Sequence, residues 1–255
     1  MKATHYSISA FFPAYNDEAS IGKIVHAAAE LLPKLTDDFE IVVVNDGSAD
    51  QTGELLSQLA QQYQFVKVIN HPTNRGYGAA LISGFANCGK DLIFYTDGDG
   101  QYDVGELLEL LAVLNEEVDL VNGYKIRRAD PWYRILIGWL YQSMVRWFFS
   151  IPLRDVDCDF RLFRRSLVDR TTLTCDSGAI CVEMIKKFQR QGCRIVEVPV
   201  SHYPRVKGKS QFFRLKHLRR MLFQLFPVWW KLMVAPVVLR CLHFIKLQSQ
   251  ARGKA

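Results

Sequence analysis

Along the first two thirds of the chain, short apolar runs alternate with segments whose apolar residues recur every three or four positions. The runs 6–12, 40–45, 66–70, 91–96, 119–123 and 194–200 predict strands. Helical patterns lie between the early ones, near 19–32, 51–62, 77–88 and 104–115. This alternation predicts an α/β fold with a mostly parallel central sheet flanked by helices. In such sheets ligands sit beyond the carboxyl ends of the strands. The loops at those ends read PAYNDE (13–18), NDGSAD (45–50), HPTNRGYG (71–78) and DGDGQYD (97–103). All are polar, and each carries Gly or carboxylates.

Two later segments differ. Residues 132–149 hold three Trp, two Tyr and two Arg at helical length. Residues 212–247 form the second, expected to break at Pro227 and Pro236. Apolar faces interrupted by cations, with Trp at the break, suit helices lying in a membrane interface. Packing on the sheet or on a second subunit would give the same pattern. No uninterrupted apolar run reaches the ~18–20 residues that a membrane-spanning helix needs.

Composition narrows the picture. The chain has 255 residues, 49% apolar and 23% charged, enough for a buried core and too apolar for disorder. Its six Cys form no CxxC pair, which argues against a structural zinc site or a disulfide scaffold and for reduced thiols. The net charge of +6 is divided unevenly. Residues 198–255 contain 12 Lys and Arg and no acid, so the first 197 residues carry −6. A basic tail of this kind points to an anionic partner. Its Leu, Phe, Trp and Val at helical spacing favour a membrane surface over nucleic acid. The start of the chain shows no signal peptide.

Three loops carry chemistry. Asp97 and Asp99, one residue apart after the apolar run LIFYT, can share a divalent cation that bridges a diphosphate, though Asp and Gly also make plain polar turns. An EF-hand would need Gly where Tyr102 stands. Asp46, at the end of VVVND, is a candidate ligand for a base or ribose, while Ser48 and Asp50 are better read as caps of the next helix. Gly76 and Gly78 open a helix whose amides can face a phosphate, but Leu81 breaks the dinucleotide fingerprint.

Together these loops resemble the family-2 glycosyltransferases of the glycosyltransferase A fold. The nearest branch is similar to the dolichol-phosphate mannose and polyprenyl-phosphate glycosyl synthases. PAYND (13–17), VVNDGSAD, NRGYGAAL and TDGDGQYD carry the likeness, which covers roughly residues 6–210. It implies nucleotide contacts from Pro13, Tyr15, Asp17 and Asp46. It implies that Asp97 and Asp99 hold Mg²⁺ or Mn²⁺ and the diphosphate, with Gln101 beside them. Asp99 is expected to be indispensable for transfer. Two residues depart from the family pattern: Asp17 replaces a Glu, and Asn45 replaces the first Asp of its D-D-G-S. The segment RDVDCDFRLF (154–163) resembles the family's acceptor-side D-x-x-S/C-G-F-R, with Asp159 where many members have Gly. Asp155, Asp157 and Asp159 are therefore candidate catalytic carboxylates. Three carboxylates in five residues repel if buried and ionised, so one binds metal, accepts a proton or pairs with Arg154 or Arg161. A solvated loop is the plainer reading. By the same resemblance Lys125 and Arg134 hold a lipid phosphate, and Arg205 and Ser210 belong to a loop closing over the diphosphate.

The expected function is an inverting, metal-dependent transfer of a hexose from a GDP- or UDP-linked sugar to a polyprenyl or dolichyl phosphate. Residues 1–210 form the catalytic domain, including an interface helix over 132–150, and residues 211–255 attach it to the cytoplasmic face of a membrane, in one leaflet. Oligomerisation through the C-terminal helices is a further expectation. The alternatives are a hydroxyl acceptor on a lipid, glycan or protein, a nucleotidyltransferase, and a non-catalytic membrane-docked module.

Overall fold

The computed structural model describes residues 4–126, 132–205 and 215–239, the side chains at 132–135 and 215–218 excepted. Seven strands form one sheet: β1 (Ile8–Ala14), β2 (Phe39–Asn45), β3 (Val66–Asn70), β4 (Leu92–Thr96), β5 (Leu120–Lys125), β6 (Phe160–Arg164) and β7 (Ile195–Val200). Their spatial order is β3-β2-β1-β4-β6-β5-β7. Only β6 runs antiparallel to its neighbours, β4 and β5. The central strands are apolar because both faces are covered; all seven residues of β1 are buried.

Helices α1 (Ile21–Leu35), α2 (Thr52–Gln62) and α4 (Leu107–Val113) cover one face. On α1, Ile21, Ile24, Val25, Ala28, Leu32 and Leu35 recur on one stripe and are buried. Helices α3 (Tyr77–Asn87), α5 (Trp132–Phe149), α7 (Ala179–Arg190) and α8 (Leu215–Trp229) cover the other, and α6 (Arg165–Asp169) is a short turn after β6. The predicted helix at 104–115 is instead a 3₁₀ turn, Val104–Glu106, followed by α4. Asp103 fixes that turn by accepting the Gly105 amide at 2.8 Å.

Three expectations require correction. The end of the segment 154–163, for which a solvated loop is the plainer reading from sequence, lies in β6, whose first four residues are all buried, Arg161 among them. Helix α7 was not foreseen. The expected break at Pro227 is absent, since α8 runs through it. The helix then widens into a π turn, Trp230–Val234, and continues to 239. Pro236 lacks the amide that would bond to the carbonyl of Leu232, and its ring crowds that carbonyl; a wider turn before it relieves both. The segment Arg219–Leu239 is thus a continuous helix of 21 residues, long and apolar enough to cross a membrane by length and composition.

Candidate active site

The carboxyl ends of β1, β2 and β4 deliver the polar loops to one edge of the sheet. Pro13 is buried in β1, and its carbonyl accepts the Gly98 amide at 3.1 Å, which sets the path of the DGDG turn. Tyr15 is 38% exposed at the loop's edge. Asn16, at φ 56°, accepts the Ala49 amide and donates its own to Ser48, tying the two loops together. Asp17 accepts the Tyr15 amide at 2.9 Å; burial lifts its carboxyl to about 6. Asp50 accepts the Thr52 amide at the start of α2 at 3.0 Å, whereas Ser48 serves the β1 loop instead of a helix end.

Asp46 is buried and faces the protein. Its carboxylate accepts the amides of Arg75 and Gly76, both at 2.9 Å, and lies 2.6 Å from Nδ1 of His71. Nε2 of His71 meets the Ser83 hydroxyl at 2.9 Å. Asp46 thereby shapes the 74–76 loop, and Asn45 supports it by pairing with Asn70 and accepting the Ser48 amide.

Beyond β4, Asp97 accepts the hydroxyl of half-buried Tyr77 at 2.8 Å. Asp99 accepts the Gln101 amide at 3.0 Å and pairs with the Arg205 guanidinium at 2.5 Å. Burial raises the proton affinity of both carboxyls; nearby Asp159 and Asp99 push Asp97 further, while Arg205 partly offsets the effect at Asp99. Gln101 turns to residue 203, its side-chain amide donating to the Tyr203 carbonyl at 3.0 Å.

The second carboxylate group comes from the turn before β6. The β4–β6 register pairs Tyr95 with Arg161 and Thr96 with Phe160. Asp159 and Asp97 adjoin that last pair, and the Asp159 charge acts on Asp97. Arg161 is fully buried and donates to Asn122 at 2.7 Å, to the Tyr95 hydroxyl at 2.5 Å and to the Val156 carbonyl. The Tyr95 hydroxyl in turn donates to Asp159 at 2.9 Å, and the Cys181 thiol lies 3.3 Å from the same oxygen. Asp155 and Asp157 serve the Lys125 side. The Lys125 ammonium is 3.5 Å from the Asp155 carboxylate and donates to the Asp157 carbonyl at 3.0 Å. Burial, and then Asp155, lift the Asp157 carboxyl to about 7.

The structure thus brings Asp97, Asp99, Asp159 and Arg205 together, with Lys125, Asp155 and Asp157 beside them. The Arg134 side chain and Ser210 lie outside the described residues. Sequence reasoning gave no role to His71 and Tyr77, although both lie in the loop 71–78, nor to Tyr95 and Cys181, which look like ordinary strand and helix residues. It saw Arg161 only as a partner option; a charge inside FRLFR was the available signal. Hard carboxylate oxygens suit Mg²⁺ or Mn²⁺. Among the described residues no three His, Cys, Asp or Glu side chains form a ready-made metal site. The donor set therefore fits a cation that Asp97 and Asp99 would hold and that would supply positive charge to a diphosphate.

Comparison with known proteins agrees with this geometry. The sequence model of glycosyl transferase family 2 matches residues 9–172. The chain is similar to an undecaprenyl-phosphate 4-deoxy-4-formamido-L-arabinose transferase of Aeromonas hydrophila subsp. hydrophila, 28% identical over 86% of this chain and 66% of that protein. Its counterpart in Enterobacter sp. (strain 638) is 31% identical over 84% of this chain and 65% of that protein. The chain thus spans about two thirds of the length of these curated relatives. Among solved structures it resembles glucosyl-3-phosphoglycerate synthase from Mycobacterium tuberculosis. The crystal structure with Mn²⁺, uridine diphosphate and phosphoglyceric acid gives a TM-score of 0.66 at 20% identity, covering 89% of this chain and 78% of that one. The structure with Mg²⁺ and uridine diphosphate gives 0.63 at 19% identity, covering 89% and 79%. The shared architecture is the glycosyltransferase A fold. The matched family span covers more than half of the sequence and holds the loops of Asp46, Asp97, Asp99 and Asp159, and the chain belongs to glycosyl transferase family 2.

Proposed function

We propose that the protein moves a sugar from a nucleotide sugar to a polyprenyl phosphate, with inversion and with Mg²⁺ or Mn²⁺. The observation that carries this reading is the pair Asp97 and Asp99 at the end of β4, of which Asp99 is buried and backed by the Arg205 guanidinium. Two oxygen ligands at the mouth of a strand end are the donor set that a diphosphate-bridging cation needs. When bound, the cation neutralises charge on the leaving diphosphate. The relatives named for undecaprenyl phosphate support a lipid-phosphate acceptor. Such an acceptor is already ionised at neutral pH and needs little help from a base.

The chain's own residues divide the remaining work. Pro13, Tyr15 and Asp17 frame the nucleotide end, and Asp46 holds the loop that closes it. Arg205 and Ser210 belong to the segment over the diphosphate, and Gln101 anchors that segment through Tyr203. Of the three acceptor-side carboxylates, Asp159 acts beside Asp97. Asp155 and Asp157 orient Lys125, which with Arg134 receives the lipid phosphate.

Residues 1–210 form the catalytic part, and 211–255 attach it to the cytoplasmic leaflet. The membrane reading is supported by exposed Trp139, Trp147, Phe223, Phe226 and Trp230 on α5 and on the helix that α8 begins, and by the acid-free tail. Attachment in one leaflet is favoured because Met221, Leu225 and Val228 of α8 are buried in the catalytic core. A hydroxyl acceptor is the second reading, favoured by the Asp157 carboxyl near 7, where a general base operates best.

The test is a screen of UDP- and GDP-sugars against polyprenyl phosphate and hydroxyl acceptors, with metal titration. A lipid-linked sugar phosphate plus nucleoside diphosphate supports the proposal. Transfer only to hydroxyls moves it to the second reading, and release of pyrophosphate identifies a nucleotidyltransferase.

A further inference from the structure

Helix α8 is bound to the rest of the protein by more than apolar contact. Asp176, in the loop before α7, accepts the Arg220 guanidinium and, at 2.5 Å, the Gln224 side-chain amide. Arg220 and Gln224 are one turn apart on α8. The Gln224 carbonyl oxygen closes the knot by accepting the Ser177 hydroxyl at 2.6 Å and the Ser177 amide at 3.3 Å.

The main chain of the same residue grips the donor-side loop. The Asp176 carbonyl accepts the Gly78 amide at 3.0 Å. The two backbones touch: a Cβ at Gly76 would lie 2.4 Å from the Asp176 carbonyl oxygen, and one at Gly78 only 2.2 Å from that of Cys175. Between these glycines stands Tyr77, whose hydroxyl holds Asp97. Asp176 therefore contacts α8 with its side chain and the Tyr77 loop with its backbone. Glu183 stiffens the loop from beneath, accepting the amides of Thr174 and Cys175 at 3.0 and 2.9 Å.

We propose that Asp176 is a positioning residue that couples α8 to Asp97: by fixing α8 against the 76–78 loop it sets Tyr77, and through Tyr77 the carboxylate that receives the cation. The inference rests on the cation-dependent reading above and adds a path to it. The outer face of α8, with Leu222, Phe223 and Phe226 exposed, is the face assigned to the membrane. Displacement of α8 at a lipid surface is then felt at Asp97, and cation loading at Asp97 is felt at α8 by reciprocity.

The experiment measures Mn²⁺ binding to the full chain by loss of the free-ion paramagnetic resonance signal, with UDP or GDP present and the uptake by nucleotide alone subtracted. Asp176→Ala and Tyr77→Phe should each raise the half-saturating Mn²⁺ concentration about fivefold, the scale of one lost hydrogen bond. The double variant should bind no worse than the weaker single, because both cut one path. Gln224→Ala should repeat the effect from the helix side, which covers an Asp176→Ala chain that fails to fold. Arg220→Lys should bind like the wild type, whereas in a transfer assay the Mn²⁺ requirement of Asp176→Ala should rise while its kcat holds. If Asp176→Ala and Gln224→Ala bind Mn²⁺ as the wild type does while Tyr77→Phe binds less, the coupling is wrong and the cation site stands. Effects of Asp176→Ala and Tyr77→Phe that multiply also reject it. A wild-type chain that takes up no Mn²⁺ overturns the cation reading and the coupling together.

Discussion

The last paired rung of β4 and β6 joins Thr96 to Phe160, the position next to it on each strand is an aspartate, and the charge of one, Asp159, raises the proton affinity of the other, Asp97. Like charges close to one another are destabilising. The protein keeps them there by donating Tyr77 to Asp97 and Tyr95 to Asp159, with Arg161 behind Tyr95. A cation between strand ends relieves such a pair, so the arrangement holds affinity for positive charge in reserve.

Arg161 is the keystone of that arrangement. Replacing it with Met removes a fully buried charge and leaves the Asn122 oxygen and the Val156 carbonyl unserved. The expected cost is about 3–5 kcal/mol of stability, from urea unfolding. Tyr95→Phe should cost about 1 kcal/mol and reduce transfer more than stability, since it frees Asp159.

Asp46 makes a different prediction from the one its motif suggests. A base-binding carboxylate can be removed with little effect on stability, whereas buried Asp46 accepts two backbone amides and holds buried His71. Asp46→Ala should therefore lower stability by about 2–4 kcal/mol. The midpoint and slope of a denaturant titration check it.

The Asp157 carboxyl titrates near 3.8 when unfolded and at about 7 in the fold. Between those values the folded state binds more protons, so this group's contribution to stability falls as pH rises through 7 and recovers as pH drops towards 4. Asp157→Asn should raise Tm at pH 8 and leave it nearly unchanged at pH 4. Comparing the variant with the wild type across that range isolates this group from the others.

Trp147 is 80% exposed and Phe223 72% exposed. Changing each to Ser should leave Tm within a degree or two and weaken binding to anionic vesicles about tenfold per residue. Flotation with and without anionic lipid gives the comparison; a drop in self-association with unchanged flotation would instead assign this face to a second copy of the chain.

The parallel part of the fold was legible because buried strands such as IVVV and LIFY leave no polar residues to obscure them. The site's loops were equally legible, since strand ends in such sheets must carry the ligand. Strand β6 was hidden because Arg161 looks like a surface residue until Tyr95, Asn122 and Val156 are known to surround it. Helix α7 and the unbroken α8 escaped for related reasons. In α8, Pro227 signals a break, and only packing of Met221, Leu225 and Val228 shows why the helix continues. Asp46 was read outward because sequence gives the residue and not the direction of its side chain.

The most direct measurement is formation of lipid-linked sugar by the purified chain, with Mg²⁺ or Mn²⁺ and with a chelator, for the wild type and for Asp99→Asn. Transfer by the wild type only when a cation is present, with loss of at least about a thousandfold in Asp99→Asn at unchanged Tm, is the expected result. Equal transfer in the chelator, or a folded Asp99→Asn chain that turns over like the wild type, would contradict the account.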